Sequence, residues 1–366
     1  MTITTATVMN TLSVVDIANL STAEVSALTT AQVHDLTDLQ ASYLTTASVA
    51  LLDSAQVAVL TTDAVSALSA GQIAAITTSA IKGMTDAEVQ VLVRSQFQAL
   101  TTDQVAQLLT SQIAAISTTQ APYLTTAQAA AFSTAQTVAL ETQDLALMAA
   151  ASVEALGTTN IKALTVPQIA SLSDRQVQGL STSSIAVLTT AQIVGLETDQ
   201  FALLSATQLG GLTTAQAAAI ETQDLVVLTT TQLGGLSSTN FAALTTAQVA
   251  ALTTSQAKGL TNAQLGALTT SLTQALTTAD LAVLTAAQVN ALGTVNTPAL
   301  KDAQVAALTT AQVVGMSTDN FATLGTSALQ ALTTSQAAVL TALQTATLST
   351  AKTVLLETAD LAALTT

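Results

Sequence analysis

The chain has 366 residues and a formal net charge of −15, with 22 acids against 7 Lys and Arg. That balance argues against nucleic acid and anionic lipid, partners that are held by neutralising phosphate. Only 8% of residues are charged, against roughly a quarter in ordinary soluble domains, and there is no cysteine to form a disulfide or a thiolate metal site.

Residues 1–11 read as a lead-in. The opening Met1-Thr-Ile-Thr-Thr has neither a basic region nor a long apolar core, so no secretory signal peptide is expected there. From Leu12 to Leu364 every eighth residue is apolar. The residue is Leu except at Ile76, Met84, Ile116, Phe132, Met148, Ile220 and Met316. No insertion breaks this phase, so residues 12–366 are expected to form one continuous octad-repeat solenoid.

The consensus from one anchor to the next is Leu-Thr-Thr-Ala-Gln-Val-Ala-Ala-Leu, as at 244–252. Thr-Thr-Ala-Gln has the form of a capping box. The first Thr accepts from the backbone N–H three residues on, and the Gln reaches back to the Thr N–H. Good helix formers follow. The fifth residue after the anchor is a second apolar position, Val25, Val33 and Val49 for example, and lies three residues before the next anchor on the same helical face. Each octad is therefore expected to be a helix of one to two turns, too short to survive alone and stable only when stacked. Neutral hydroxyls and amides are expected to cover the surface. The fold class is all-α, a solenoid of very short capped helices, one per repeat. The rival is a β-solenoid with Thr ladders and Gln stacks, although a two-residue period fits the octad poorly.

Along the chain the first outlier is His34, the sole histidine, with Asp35 and Asp38 near it. A solvated side chain is expected, because a general base needs an oriented partner and a nucleophile. Tyr43 and Tyr123 stand just before an anchor and are expected to pack. Pro122 and Pro298, six residues past their anchors, deny a short helix an N–H and speak against the helical reading there. Pro167 fits a first helical turn. The Gly210-Gly211 and Gly234-Gly235 pairs precede an anchor, where small residues let backbones approach. Phe97, Phe201, Phe241 and Phe321 take the second apolar position and read as core filling.

Acids recur as Asp86/Glu88, Glu141/Asp144, Glu197/Asp199, Glu221/Asp224 and Glu357/Asp360. Calcium bridging is one reading. The other, preferred because no calcium-loop motif is present, has the acids replacing Thr as cap or Gln at the third helical position, where they favour the helix dipole. The bases Lys82, Arg94, Lys162, Arg175, Lys258, Lys301 and Lys352 are scattered singly. No catalytic, cofactor-binding or metal-binding residue is expected, and no cofactor. Mean hydropathy is positive, yet apolar runs such as Leu145–Ala151 are far shorter than the roughly 20 residues of a spanning helix.

A longer echo overlies the octad. Ile81-Lys82 returns as Ile161-Lys162, Glu141-Thr-Gln-Asp-Leu returns at Glu221, and Phe201, Phe241 and Phe321 are separated by multiples of 40. Block duplication explains such spacing. So does a superhelical turn of about five octads, giving about nine turns and a rod near 90 Å at the ~10 Å width of a helix.

The run Leu-Thr-Thr-Ala-Gln-Val-Ala-Ala-Leu at 244–252, varied along the whole chain, resembles the Leu-Thr-Thr-x-Gln octad tracts of large bacterial surface or secreted proteins, some of them adhesin-like. The resemblance implies an extracellular scaffold or an adhesive role and carries over no functional residue. The expected function is a structural, self-assembling repeat protein, a filament, surface layer or rigid spacer, and not an enzyme. The alternative is an adhesive, carbohydrate-binding or ice-binding module. The final octads, ending Leu361-Ala-Ala-Leu-Thr-Thr366, look like interior ones, so head-to-tail association with itself is expected. A cell-surface or glycan partner is also admitted, but neither nucleic acid nor membrane insertion.

Overall fold

The structure, a computed structural model, describes residues 3–353, 356 and 358–364. Contacts group the chain into two units, Met1–Val187 and Leu188–Thr366. Both are built from short helices, and no strand occurs among the described residues. The β-solenoid alternative is therefore set aside.

The octad explains each helix. In Thr102–Gln107 the N-cap Thr101 is extended (φ −71°, ψ 158°), and Gln104 N–H donates to Thr101 Oγ1 at 3.2 Å. Thr101 N–H donates back to Gln104 Oε1 at 2.8 Å. Both halves of the capping box form, satisfying two N–H groups that a helix start would leave orphaned. The anchor ends the helix: Leu108 returns to extended geometry (φ −57°, ψ 140°), and its N–H closes on Gln104 and Val105 carbonyls. Two consecutive extended residues, the anchor and the next N-cap, make this corner, as Leu100 and Thr101 do before it.

Helices stack at intervals of three octads. In the first unit one column runs through Val14–Ala18, Asp38–Tyr43, Thr62–Ala67, Asp86–Gln90, Thr110–Ala114, Thr134–Ala139, Gly157–Ala163 and Thr182–Val187. In the second unit an equivalent column runs through Thr198–Ala202, Thr222–Val226, Thr246–Ala250, Thr270–Ala275, Gly293–Asn296 and Thr318–Thr323. Anchors and second apolar positions fill the interior; Val105 and Leu108 are almost fully buried, as are Val313 and Met316. Residues 4–12 already follow this plan, since Met9 is fully buried and its carbonyl is bonded by Gln40.

The turn is shorter than five octads. Gln104 Nε2 donates to the carbonyls of Ile73 and Ile76, 31 and 28 residues earlier, at 2.8 and 2.6 Å. In the second unit Gln312 does the same to Leu281 and Leu284. Each octad thus rests on those three and four before it, and this hydrogen-bond register, not the 40-residue echo, sets the turn.

Local departures from this plan are of two kinds. Pro122 and Pro298 lie in 3₁₀ turns, Ala121–Tyr123 and Thr297–Ala299. Ile81–Gly83 takes the same tighter turn without a proline, so this is a form of the octad that accommodates a residue with no N–H and keeps the stack. Pro167 occupies the first turn of Val166–Ala170 as expected. At Leu156 and Leu292 the anchor stays helical, and the next residue turns the chain with positive φ, +79° at Gly157 and +71° at Gly293. Only glycine enters that region freely. Both octads carry Asn at the fourth position after the anchor, and Asn160 Nδ2 bonds the Leu156 carbonyl at 3.0 Å. Gly325 follows Leu324 in the same way but has φ −70°, with Ala328 at the fourth position.

Candidate functional site

The position with the densest polar chemistry is the fourth residue after the anchor. It is buried in nearly every octad, although it is most often Gln. The expectation that amides cover the surface is corrected here. The Gln side chain points inward because its amide serves both its own cap and the neighbouring turn, so its polar groups are satisfied without water. Exposed Thr and Ser form the surface.

Other residues at this position show which part of the role they can keep. Asn240 Nδ2 donates to Leu212 O at 2.6 Å and Ser152 Oγ to Leu124 O at 2.7 Å, each 28 residues back. Lys352 Nζ donates to the Ala322 and Leu324 carbonyls at 2.7 and 2.9 Å. A side chain too short to return to its own N-cap receives help from the octad below. Ser181 N–H donates to Glu154 Oε2 at 3.1 Å, while Ser184 Oγ donates to the same carboxylate. Likewise Ser317 N–H donates to Asn290 Oδ1 at 2.7 Å, above Asn320.

The acids divide by position. Glu141, Glu197 and Glu221 stand at helix N-caps but make no side-chain cap bond. The Glu141 and Glu221 carboxylates accept instead from the side-chain amides of Gln143 and Gln223, at 2.6 and 2.7 Å, and the expectation that these acids replace Thr as cap is corrected. Asp53, one methylene shorter, does cap, accepting from Gln56 N–H at 2.8 Å. Asp16, Glu24 and Asp280 stand in for Gln and complete capping boxes. The bonds from Ser13 and Ser21 hold the Asp16 and Glu24 carboxyls below their ordinary values.

Glu88, Asp144 and Asp224 are buried at the fourth position, as Asp280 is. Burial pushes the Glu88 carboxyl up, partly offset by the bonds it accepts from Thr85. Burial and the neighbouring Glu141 charge raise Asp144 to about 6. Asp224 is raised by burial, while Thr198 Oγ1 donates to it at 2.7 Å. Glu88 Oε1 and Asp144 Oδ1 are buried without a hydrogen-bond partner. Glu357 lies outside the described residues, and Asp360 is buried.

The remaining sequence candidates are not brought together. His34 is exposed, with Nδ1 4.0 Å from the Asp35 carboxylate, and Asp38 begins the following helix. No group of three His, Asp or Glu suited to a metal ion occurs among the described residues. Arg94 lies over the Tyr123 ring at 4.4 Å, whereas Tyr43 is half exposed. The four Phe side chains at the second apolar position are fully buried core. No described helix is long and apolar enough to cross a membrane.

A family model described as the ALTTAQ repeat matches residues 137–174, 217–254 and 238–270. The matched stretches contain octads of the form seen throughout both units. No curated protein matches the chain.

Proposed function

We propose that the chain is a structural scaffold, working outside the cell as a filament, surface layer or spacer, with further copies of itself as its partner. One observation carries this reading: the residues best suited to chemistry are occupied in holding the repeat together. Thr and Ser hydroxyls cap helices, and the Gln amides link turns. In this reading the chain catalyses nothing. The extracellular assignment rests on the Thr-rich, cysteine-free composition, and a net charge of −15 keeps separate copies soluble until a specific contact forms. Sedimentation velocity over a wide concentration range, combined with negative-stain imaging, tests self-association. Concentration-dependent linear oligomers are expected; a sharp monomer at the highest concentration would remove the filament and leave only the spacer.

A second reading, an adhesive or ice- or glycan-binding module, is favoured by one feature of the second unit. Thr222, Thr246, Thr270 and Thr294 are exposed at equivalent places on successive stacked helices. They form a regular column of hydroxyl and methyl groups. Thermal hysteresis and glycan-array binding, each compared with a variant carrying Lys at Thr246 and Thr270, separate this reading from pure scaffolding.

A further inference from the structure

At the fourth position of most octads, the side chain gives a hydrogen to the anchor carbonyl 28 residues earlier. Gln96 does so to Leu68 O at 2.7 Å, Asn160 to Phe132 O at 2.7 Å, Ser152 to Leu124 O, and Lys352 to Leu324 O. These side chains have little in common except a polar hydrogen. Glu88 and Asp144 occupy the same place with groups that carry no hydrogen when ionised. Glu88 Oε2 accepts from Thr85 N–H, the role Gln gives to its Oε1. The other oxygen, Oε1, is buried and unpartnered; in the register that Gln104 follows, the carbonyls 31 and 28 residues before Glu88 are those of Val57 and Leu60. Asp144 matches Asn in length, and its buried Oδ1 is likewise unpartnered; the anchor 28 residues before it is Ile116. Lone pairs facing a carbonyl across a dry interface repel, whereas one proton turns the contact into a hydrogen bond.

We propose that Glu88 and Asp144 are held as neutral carboxylic acids that donate to the Leu60 and Ile116 carbonyls, forming proton-dependent links between successive turns of the first unit. Asp224 is the internal comparison. The Thr198 hydroxyl supplies its missing hydrogen at 2.7 Å, so no proton is needed there.

The charged residues on the elements around the two carboxyls are acids. Asp86 shares the Glu88 helix, Asp63 lies on the packed helix Thr62–Ala67, and Thr110–Ala114 brings no charged residue. Asp144 has Glu141 beside it. The elements packed on its helix, Ala121–Tyr123 and Val166–Ala170, bring only the titratable Tyr123. No base on these elements stabilises either carboxylate. Both carboxyls accordingly titrate above their ordinary values, Asp144 at about 6. A raised carboxyl binds its proton more tightly in the fold than in the unfolded chain. Its contribution is therefore complete below the ordinary carboxylate range and is lost as pH rises through the folded value.

The test uses the full chain with Glu88→Gln, Asp144→Asn and the double variant. Thermal unfolding is followed by circular dichroism at about pH 7.5, above the raised Asp144 value, and at about pH 3, below the ordinary carboxylate range. Each variant supplies the hydrogen permanently. Each is expected to raise Tm by about 2–4 °C at the higher pH and to match the wild type at the lower. A variant-to-wild-type difference that is the same at both pH values overturns the proposal, as does destabilisation by both variants. Carboxyl carbon NMR of the folded protein gives a second reading. Glu88 and Asp144 are expected to titrate well above exposed acids, and titration in the ordinary range refutes the assignment. Added calcium chloride is expected to leave the wild-type Tm unchanged at the higher pH. A rise that Glu88→Gln or Asp144→Asn abolishes would place a cation, not a proton, between the turns.

Discussion

A Gln at the fourth position satisfies groups on three octads at once. Gln104 Oε1 accepts from Thr101 N–H, and its Nε2 bridges Ile73 and Ile76 carbonyls beneath. Replacing it with Ala removes all three bonds and leaves buried carbonyls short of a donor. Gln104→Ala is expected to cost roughly 2–4 kcal/mol, at about 1 kcal/mol per bond plus the unsatisfied groups, read as a lower urea midpoint at unchanged m-value. The opposite change is available where the cap is missing. Val93 and Leu109 sit at N-caps without a side-chain bond and are about half exposed. Val93→Thr and Leu109→Thr are each expected to add about 1 kcal/mol, and no gain in either variant would show that capping is not limiting in these short helices. The capping half of the Gln role is visible in Thr-Thr-Ala-Gln, because it is local. The bridging half is not local, and its one trace in the sequence is the preference for Gln where Glu would complete a capping box equally well.

An octad's outcome depends on its neighbour as well as its own residues. Glu-Thr-Gln-Asp-Leu occurs at both 141 and 221, yet Asp224 has a hydroxyl partner 26 residues earlier and Asp144 has none. Threonine stands at both partner positions. Thr198 begins an α-helix, whereas Thr118 lies in the turn leading into the 3₁₀ segment that holds Pro122. The acids were legible as departures from Gln, but their different fates required the shape of another octad, which a local pattern does not carry. The paired glycines make the same point. Within Thr230–Gly235, a Cβ on Gly235 would come 2.3 Å from the Ala206 carbonyl oxygen, while one on Gly234 would meet nothing within 4 Å. Gly235→Ala must displace backbone in the turn below and is expected to cost about 1–3 kcal/mol. Gly234→Ala, with an ordinary negative φ, is expected to gain about 0.4–1 kcal/mol by restricting the unfolded chain. Equal effects from the two, measured by thermal unfolding, would contradict this close approach.

For the whole chain, the octad period and all-α class could be read directly because each octad contains its own cap, helix and anchor. The number of octads per turn could not. It depends on how corners add up and on hydrogen bonds 28 and 31 residues long, so the 40-residue echo pointed to the wrong closure; as a record of block duplication it needs no turn of that length. The register nevertheless has a consequence at this scale. Every anchor carbonyl is equivalent to the next one eight residues on, so removing one whole octad should re-pair the rest. If residues 245–252 are deleted, Gln256 loses Leu228 as the residue 28 before it and finds Ile220, another anchor. Stability in such an array is close to a sum over repeats and their interfaces. The octad deletion is therefore expected to keep its helical circular dichroism per residue and lower Tm by only about 2–4 °C. Deleting residues 249–252 alone has the opposite effect on phase. Half an octad brings Asp224 to that place and turns anchors away from the core downstream. It should cause a much larger loss of helix and a broadened transition. Equal damage from the two deletions would mean that neighbouring octads are individually matched and not interchangeable.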